Sequence, residues 1–362
     1  MSSQSVRKIF FLSPYPFGSA PGQRFRYEQY VQLLADNNFK LDFFSFLDPV
    51  TNEILYKKGH VIRKLLGLIG GFVKRFALLF IIHRADYVFI FREATPVGPP
   101  FFEWIIAKVF RKKIIYDFDD AIWATDKLHE GTFEKLIRWR SKVMSICAWS
   151  YKVSCGNEYL CGYARQFNKN VVLNPTTIDT LHLHNPDLYP KPSQHITTIG
   201  WTGSHSTLKY LDALVPVISQ LEQKYPIRFL VIADRKPPLQ LNSLEFLPWQ
   251  KATEAQDLMQ IDIGIMPLPD DEWSRGKCGF KALQYLALEI PAVISPVGVN
   301  KEIITPGVNG YLCQSDTEWY SKLELLINDQ GKRTQLGTAG RVTVEKHYSV
   351  ISNGVNFLSL FD

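Results

Sequence analysis

Residues 262–300 read DIGIMPLPDDEWSRGKCGFKALQYLALEIPAVISPVGVN. An apolar run at 262–268 gives way to a polar loop with Gly276 and Gly279, a helical pattern over 279–289 and a second apolar run at 291–295. Strand, loop, helix and strand in that order form the repeating unit of a parallel sheet covered by helices. The same alternation continues outward. Strand-like runs occupy 196–201, 228–233, 244–249 and 310–313, with helical patterns over 206–224, 253–260 and 316–328. Toward the N-terminus, runs rich in β-branched and aromatic residues fall at 8–13, 40–46, 87–91, 113–119, 151–155 and 171–174. Stretches such as 25–36 and 99–110 between them are long enough for crossover helices.

Between the two series lies NPTTIDTLHLHNPDLYPKPSQ, residues 174–194, whose prolines and weak apolar periodicity read as a linker. A chain of 362 residues also exceeds what one core usually serves. The expectation is an α/β protein of two Rossmann-like domains, 1–180 and 195–345, with 346–362 packing back on the first. In open parallel sheets, ligands bind outside the carboxyl ends of the strands, so a cleft between two facing sheets is where function is sought.

Composition excludes several classes. With 46% hydrophobic and 21% charged residues the chain is globular, not disordered. Cys147, Cys155, Cys161, Cys278 and Cys313 form no CxxC pair and no ligand cluster with histidine, which argues against a zinc site or a disulfide framework and favours the cytoplasm. The N-terminus enters a strand-like run without a signal-peptide apolar region. The net charge of +6 comes without a nucleic-acid motif, so no nucleic-acid partner is expected. No uninterrupted apolar stretch reaches membrane-span length: the nearest, 65–82, is broken by Lys74 and Arg75. With Lys57, Lys58, Arg63, Lys64 and Arg84 around it, the segment 57–84 reads as a basic, apolar helix on an anionic membrane surface. A core helix with a solvated basic edge fits the same residues.

The chemistry-bearing residues fall into four blocks. In 275–281, glycines let backbone N–H groups approach a ligand, a helix N-terminus adds its positive dipole end, and Arg275, Lys277 and Lys281 add cations; together they form a candidate diphosphate cradle centred on Gly279. A plain βα turn with solvated lysines is the alternative. The segment IGWTGS at 199–204, followed by Lys209, is a second glycine turn at Gly203, with Thr202, Ser204 and backbone N–H groups as candidates for holding phosphate oxygens. In IIYDFDDAIW, 114–123, three carboxylates gather at the end of a buried strand and need a use or a partner. Asp119 and Asp120 are candidates for chemistry, and helix capping or pairing with an arginine is the alternative. Finally, SPYPFGSAPGQR at 13–24 is a loop between strand and helix, with Gly18, Arg24 and Arg26 as loop or anion-contacting candidates, and Arg92 and Glu93 follow the strand at 87–91.

Residues 279–293, GFKALQYLALEIPAV, with SPVG at 295–298, EIITPGVNG at 302–310 and the closing GYL at 310–312, resemble the retaining glycosyltransferases of family 4, which have the two-domain GT-B fold. The likeness covers most of 196–348 and is weaker in the first half. It implies transfer of a sugar, with retained configuration, from a nucleotide-sugar donor to a glycan or lipid-linked acceptor. No metal or other cofactor is implied, and a D-x-D metal site is set aside on the same ground. The family often carries two glutamates eight positions apart, for donor sugar and ribose; here those positions hold Gly276 and Gln284, and Gln284 can still bond ribose hydroxyls. Where the family places an arginine and a lysine on the diphosphate, this chain offers Lys209 without the arginine. A nucleotide-sugar epimerase on the same scaffold and a non-catalytic two-lobed binding protein are the competing readings.

Overall fold

The computed structural model describes residues 6–125, 138–190 and 196–362. Residues 1–5 of the N-terminal segment and the end of the proline-containing segment, 191–194, lie outside the described residues. The chain divides into two compact units, one of residues 1–176 and 354–362, the other of residues 177–353.

The first unit is built on a six-stranded parallel sheet. Its strands are β1 (Arg7–Ser13), β2 (Phe39–Ser45), β3 (Tyr87–Phe91), β4 (Lys113–Phe118), β5 (Lys152–Cys155) and β6 (Val171–Leu173), in the order β2-β1-β3-β4-β5-β6. β3 is buried at every position, as a strand covered by helices on both faces must be. The second sheet holds β7 (Thr197–Gly203), β8 (Ile227–Ala233), β9 (Leu244–Pro248), β10 (Ile263–Met266), β11 (Ala292–Ile294) and β12 (Gly310–Leu312), in the order β12-β11-β10-β7-β8-β9. The direction of winding reverses between β1 and β3 in the first sheet and between β7 and β10 in the second. Those two points are the switch points at which such sheets open a crevice for ligand.

Every strand falls where the sequence pattern put one, to within two residues at an end. The helices are less regular. The stretch 25–36 is broken into the short turns Glu28–Tyr30 and Val31–Asp36, and 99–110 is an α-turn, Phe101–Trp104, passing into a π-helical turn, Ile105–Val109. Segment 206–224 starts as a 3-10 helix, Leu208–Leu214, before the α-helix Val215–Lys224. The proline-containing segment is no slack tether. Asn174 is buried in the first unit, and from Ile178 onward the chain is held on the second by a backbone bridge to Ser349 and by Arg341, which donates to the Thr180 carbonyl.

The helix Val61–Ile81 has its faces arranged the opposite way from an ordinary amphipathic helix. Inward, Gly67 lies on Thr51 and Gly71 on Phe46, each so close that a Cβ would collide. Arg75, one of the two charges expected to interrupt the apolar run, is also inside, donating to the backbone carbonyls of Ala94 (2.7 Å), Phe44 (3.0 Å) and Ser13 (3.0 Å). Burial lowers its guanidinium to about 10, against an opposing pull from Glu103. Leu78 is buried and Phe72 packs on Phe46, while Ile62, Leu66, Ile69, Val73, Phe76 and Phe80 are exposed. This corrects the reading of the segment as a core helix with a solvated edge, and by length and composition alone the helix does reach what a membrane crossing needs.

The last residues return to the first unit. Phe357 stacks on Tyr30 with ring centroids 4.1 Å apart, and Phe361 packs on Phe39 and Tyr87. Phe357 is fully buried, so Phe357→Ala is expected to remove about 3–5 kcal/mol of stability. Urea unfolding of the intact chain measures this, and an unchanged midpoint would mean that the returning segment carries no stability.

Candidate active site

In the second unit, the sequence candidates gather at the β7/β10 switch point. The chain leaves β7 through Thr202 and Gly203, while the helix Phe280–Ala287 follows β10 and starts from Gly279 with φ 67°, a left-handed conformation that favours glycine. The Lys281 ammonium lies 5.3 Å from the centroid of the Trp201 ring. At Gly203 a Cβ would stand 2.5 Å from that ring and 2.8 Å from Lys281 Cε. Any side chain at 203 would therefore push the lysine off the end of β7. Tyr285, one turn further along the same helix, fixes the arrangement: its hydroxyl accepts the Thr202 N–H (3.0 Å) and donates to the Ile265 carbonyl (3.3 Å). Burial pushes this phenol well above its ordinary range, so it remains a donor at physiological pH. Its ring lies on Gly264, where a Cβ would be 2.4 Å away.

The other candidates have contacts of their own. Ser204 is exposed directly after Gly203, its hydroxyl 2.8 Å from that of Ser206. Lys209 is exposed in the first turn of the 3-10 helix, over the Tyr210 ring at 5.4 Å. Lys277 lies over Trp273 at 5.2 Å. Arg275 bonds Asp270 (2.6 Å) on the outside of the loop, and its backbone carbonyl closes on Gly298. Gln284 is only 5% exposed and shares a hydrogen bond with His184 Nε2 at 3.1 Å. His184 belongs to the proline-containing segment, and Arg341 clamps it by bonding the carbonyls of His184 and Ala287. Its role was not visible in sequence, because nothing local ties residue 184 to residue 284. His205, bonded through Nδ1 to Asp234 at the end of β8 (2.6 Å), was also missed. Tyr285 did leave a signal: a tyrosine four residues after Lys281 in an otherwise apolar helix.

In the first unit a second cluster forms at the β1/β3 switch point. Arg92 follows β3 with φ 61°, a conformation costly for a non-glycine residue. Its side chain donates twice to Asp119 (2.9 and 2.7 Å) and once to Asp120 (2.5 Å). Burial works to lower the Arg92 guanidinium, but the two carboxylates outweigh it and hold the group above its ordinary value. Glu93 pairs with the buried Lys142. From the other side comes the loop after β1: a Cβ on Gly22 would be 3.2 Å from Asp119 Oδ2 and 3.6 Å from Arg92 Nη2. That loop is held in shape by two residues sequence reasoning passed over. Gln23 Oε1 accepts the Tyr15 N–H (3.0 Å), and Glu28 accepts the Gly18 N–H (2.8 Å) and a Gln23 amide hydrogen (3.2 Å). Arg24 is half-buried, its guanidinium over Phe25 at 5.1 Å.

Arg26 has a different place from the one expected of a loop arginine. Its side chain is fully buried, as is that of its ion-pair partner Asp117, and it also donates to the Asn174 carbonyl and to Ser154. It ties together the carboxyl ends of β4, β5 and β6 and has no surface to offer an acceptor. The three carboxylates of the IIYDFDDAIW segment are thus all matched to arginines, Asp117 to Arg26 and Asp119 and Asp120 to Arg92.

Two parallel six-stranded units, each with polar groups gathered at its switch point, have the architecture of the GT-B fold. Solved structures share that fold over nearly the whole chain. Sucrose-phosphate synthase from Thermosynechococcus elongatus superposes with a TM-score of 0.72 at 14% identity, over 98% of each chain. A glycosyltransferase from Rickettsia africae gives 0.69 at 13% identity, over 99% of this chain and 98% of that one. Anabaena HepE, solved with UDP and glucose, gives 0.66 at 12% identity over 98% of each. Residues 196–329, within the second unit, match the family Glycosyl transferases group 1. No curated protein sequence matches the chain.

The Arg26–Asp117 pair yields a stability test. Arg26→Met leaves a buried carboxylate without its cation and is expected to cost about 3–5 kcal/mol, whereas Arg26→Met with Asp117→Leu recovers most of the loss. A denaturation cycle over the single and double variants measures the coupling, and additive effects would contradict a buried pair.

Proposed function

We propose that the protein moves a sugar from a nucleotide-sugar donor to a glycan or lipid-linked acceptor, with retention of configuration and without a resident metal. The observation that carries this is the Lys281 ammonium over Gly203 and Trp201 at the N-terminal end of the helix Phe280–Ala287. A cation and a helix N-terminus at one strand end suit the charge that develops on a departing nucleoside diphosphate. In this reading Gly203, Ser204, Gly279 and Lys281 form the diphosphate subsite, with Lys209, Arg275 and Lys277 on its outer side and Gln284 toward the ribose. Support for a metal-free reaction comes from the carboxylates: Asp117, Asp119 and Asp120 already face arginine cations.

The reaction breaks the bond from the anomeric carbon to the diphosphate oxygen and forms a bond from the acceptor oxygen on the same face. The acceptor proton passes to the departing diphosphate. Asp119 and Asp120, oriented by Arg92, are the groups of the first unit assigned to the acceptor hydroxyls, beside Gly18, Arg24 and Glu93. The place of work in this reading is the cytoplasm, at the inner face of a membrane through the segment 57–84.

HepE was solved with UDP and glucose, which makes uridine nucleotides the first to try. A ligand bound only to the native state raises the melting temperature by mass action, by about 2.7 kcal/mol of stability at a hundred times Kd. UDP or another nucleoside diphosphate is expected to raise it equally with and without EDTA, and Lys281→Ala to abolish the rise. No shift with UDP, GDP, ADP or their sugar conjugates would remove the donor site. Gly203→Val, which drives a side chain into Trp201 and Lys281, is expected to lose the shift by displacing the lysine. Retained binding in that variant would place the diphosphate elsewhere.

A further inference from the structure

The helix Val61–Ile81 presents an uninterrupted apolar stripe to solvent. Ile62, Leu66, Ile69, Val73, Phe76 and Phe80 recur at alternating steps of four and three residues, and each is at least 50% exposed. Phe101, 6.2 Å from Phe76 between ring centroids, widens the stripe, and Trp104 one turn later is 44% exposed. Soluble monomers rarely carry a contiguous apolar surface of this extent. Around it Lys57, Lys58, Lys74 and Arg84 are exposed, while Arg75 is buried and Arg63 pairs with Asp48.

Length alone would let the helix cross a bilayer, since 21 residues rise about 31 Å. Its inward side forbids that in the folded protein. Gly67 and Gly71 lie against Thr51 and Phe46, and the Arg75 guanidinium is spent on three backbone carbonyls of the domain. The helix is therefore attached along its length, with only its outer half available. A second copy of the chain suits this face poorly, because a two-fold contact would set the cations Lys57, Lys58, Lys74 and Arg84 of one copy against those of the other. An anionic lipid surface provides both the apolar layer and the opposite charge.

We propose that this stripe docks in the plane of an anionic bilayer, with its apolar side chains at the boundary of headgroups and acyl chains and Lys57, Lys58, Lys74 and Arg84 on acidic headgroups. The inference rests on the peripheral location proposed above and is independent of the transfer chemistry.

Co-sedimentation with phosphatidylcholine vesicles, with and without phosphatidylglycerol, tests it on the full chain. Wild type is expected to bind the anionic vesicles, more weakly as salt rises. Replacing Ile69 and Phe80 together by glutamate is expected to weaken binding by more than about tenfold, since both side chains leave the lipid. Both positions are exposed, so the variant should melt as wild type does and keep its nucleotide-dependent melting shift, which separates failure of the docking surface from failure of the donor site. Lys57→Gln with Lys58→Gln and Lys74→Gln is expected to remove the preference for phosphatidylglycerol. No vesicle binding by wild type, or equal binding by the glutamate variant, would overturn the proposal. So would a wild-type dimer that the glutamate variant dissociates, which would make the face an interface between copies.

Discussion

One phenol holds the candidate donor site together. At a switch point two neighbouring strands send their chains in opposite directions, and the backbone groups at their ends lose their ladder partners. The Tyr285 hydroxyl supplies both, accepting from Thr202 at the end of β7 and donating to Ile265 in β10. It can do so because Gly264 lets the ring lie directly on the strand. The same helix carries Lys281 one turn earlier, so the bond that closes the crevice floor also sets the height at which the ammonium stands over Gly203. Position and charge are coupled through four residues of one helix.

The first unit solves a related problem with arginine. Three carboxylates at the end of β4 would repel one another and resist burial without counter-charges. Arg26 meets Asp117 where neither side chain is exposed, while Arg92 meets Asp119 and Asp120 where all three remain partly open to solvent. The difference separates structure from chemistry. A fully enclosed pair with its remaining donors on Asn174 and Ser154 fixes strand ends, whereas a partly open group can exchange its hydrogen bonds with a ligand. Arg75 is a third case, a guanidinium whose donors go to backbone carbonyls, which binds a helix to three segments of backbone.

The strands were legible because parallel strands covered on both faces must be apolar throughout, and runs such as YVFIF at 87–91 have no other ready use in a chain of this composition. The helix start after the glycine loop was legible too, since Gly279 takes the left-handed conformation from which the helix Phe280–Ala287 begins. Long-range pairing was not. Arg24 and Arg26 look alike in sequence, and only the approach of Asp117, 91 positions later, sends one of them inside. His184 meets Gln284 across 100 residues, so its segment read as a linker although it is folded against the second unit. The order of arginine partners follows from the strand order, which local patterning does not specify.

The helix Val61–Ile81 shows the limit of periodicity most directly. A hydrophobic stripe says which residues share a face, but not which face is buried. Here two glycines, an arginine and Leu78 form the inward face, because small residues let the helix approach Thr51 and Phe46 and the long guanidinium reaches three backbone carbonyls. Once those interactions anchor the helix, its largest side chains have nowhere to go but outward. An ordinary core helix would gain stability by turning Phe76 and Phe80 inward; this one retains them at the surface in the most basic part of the chain. The folded domain does not account for that arrangement; the lipid surface proposed above would.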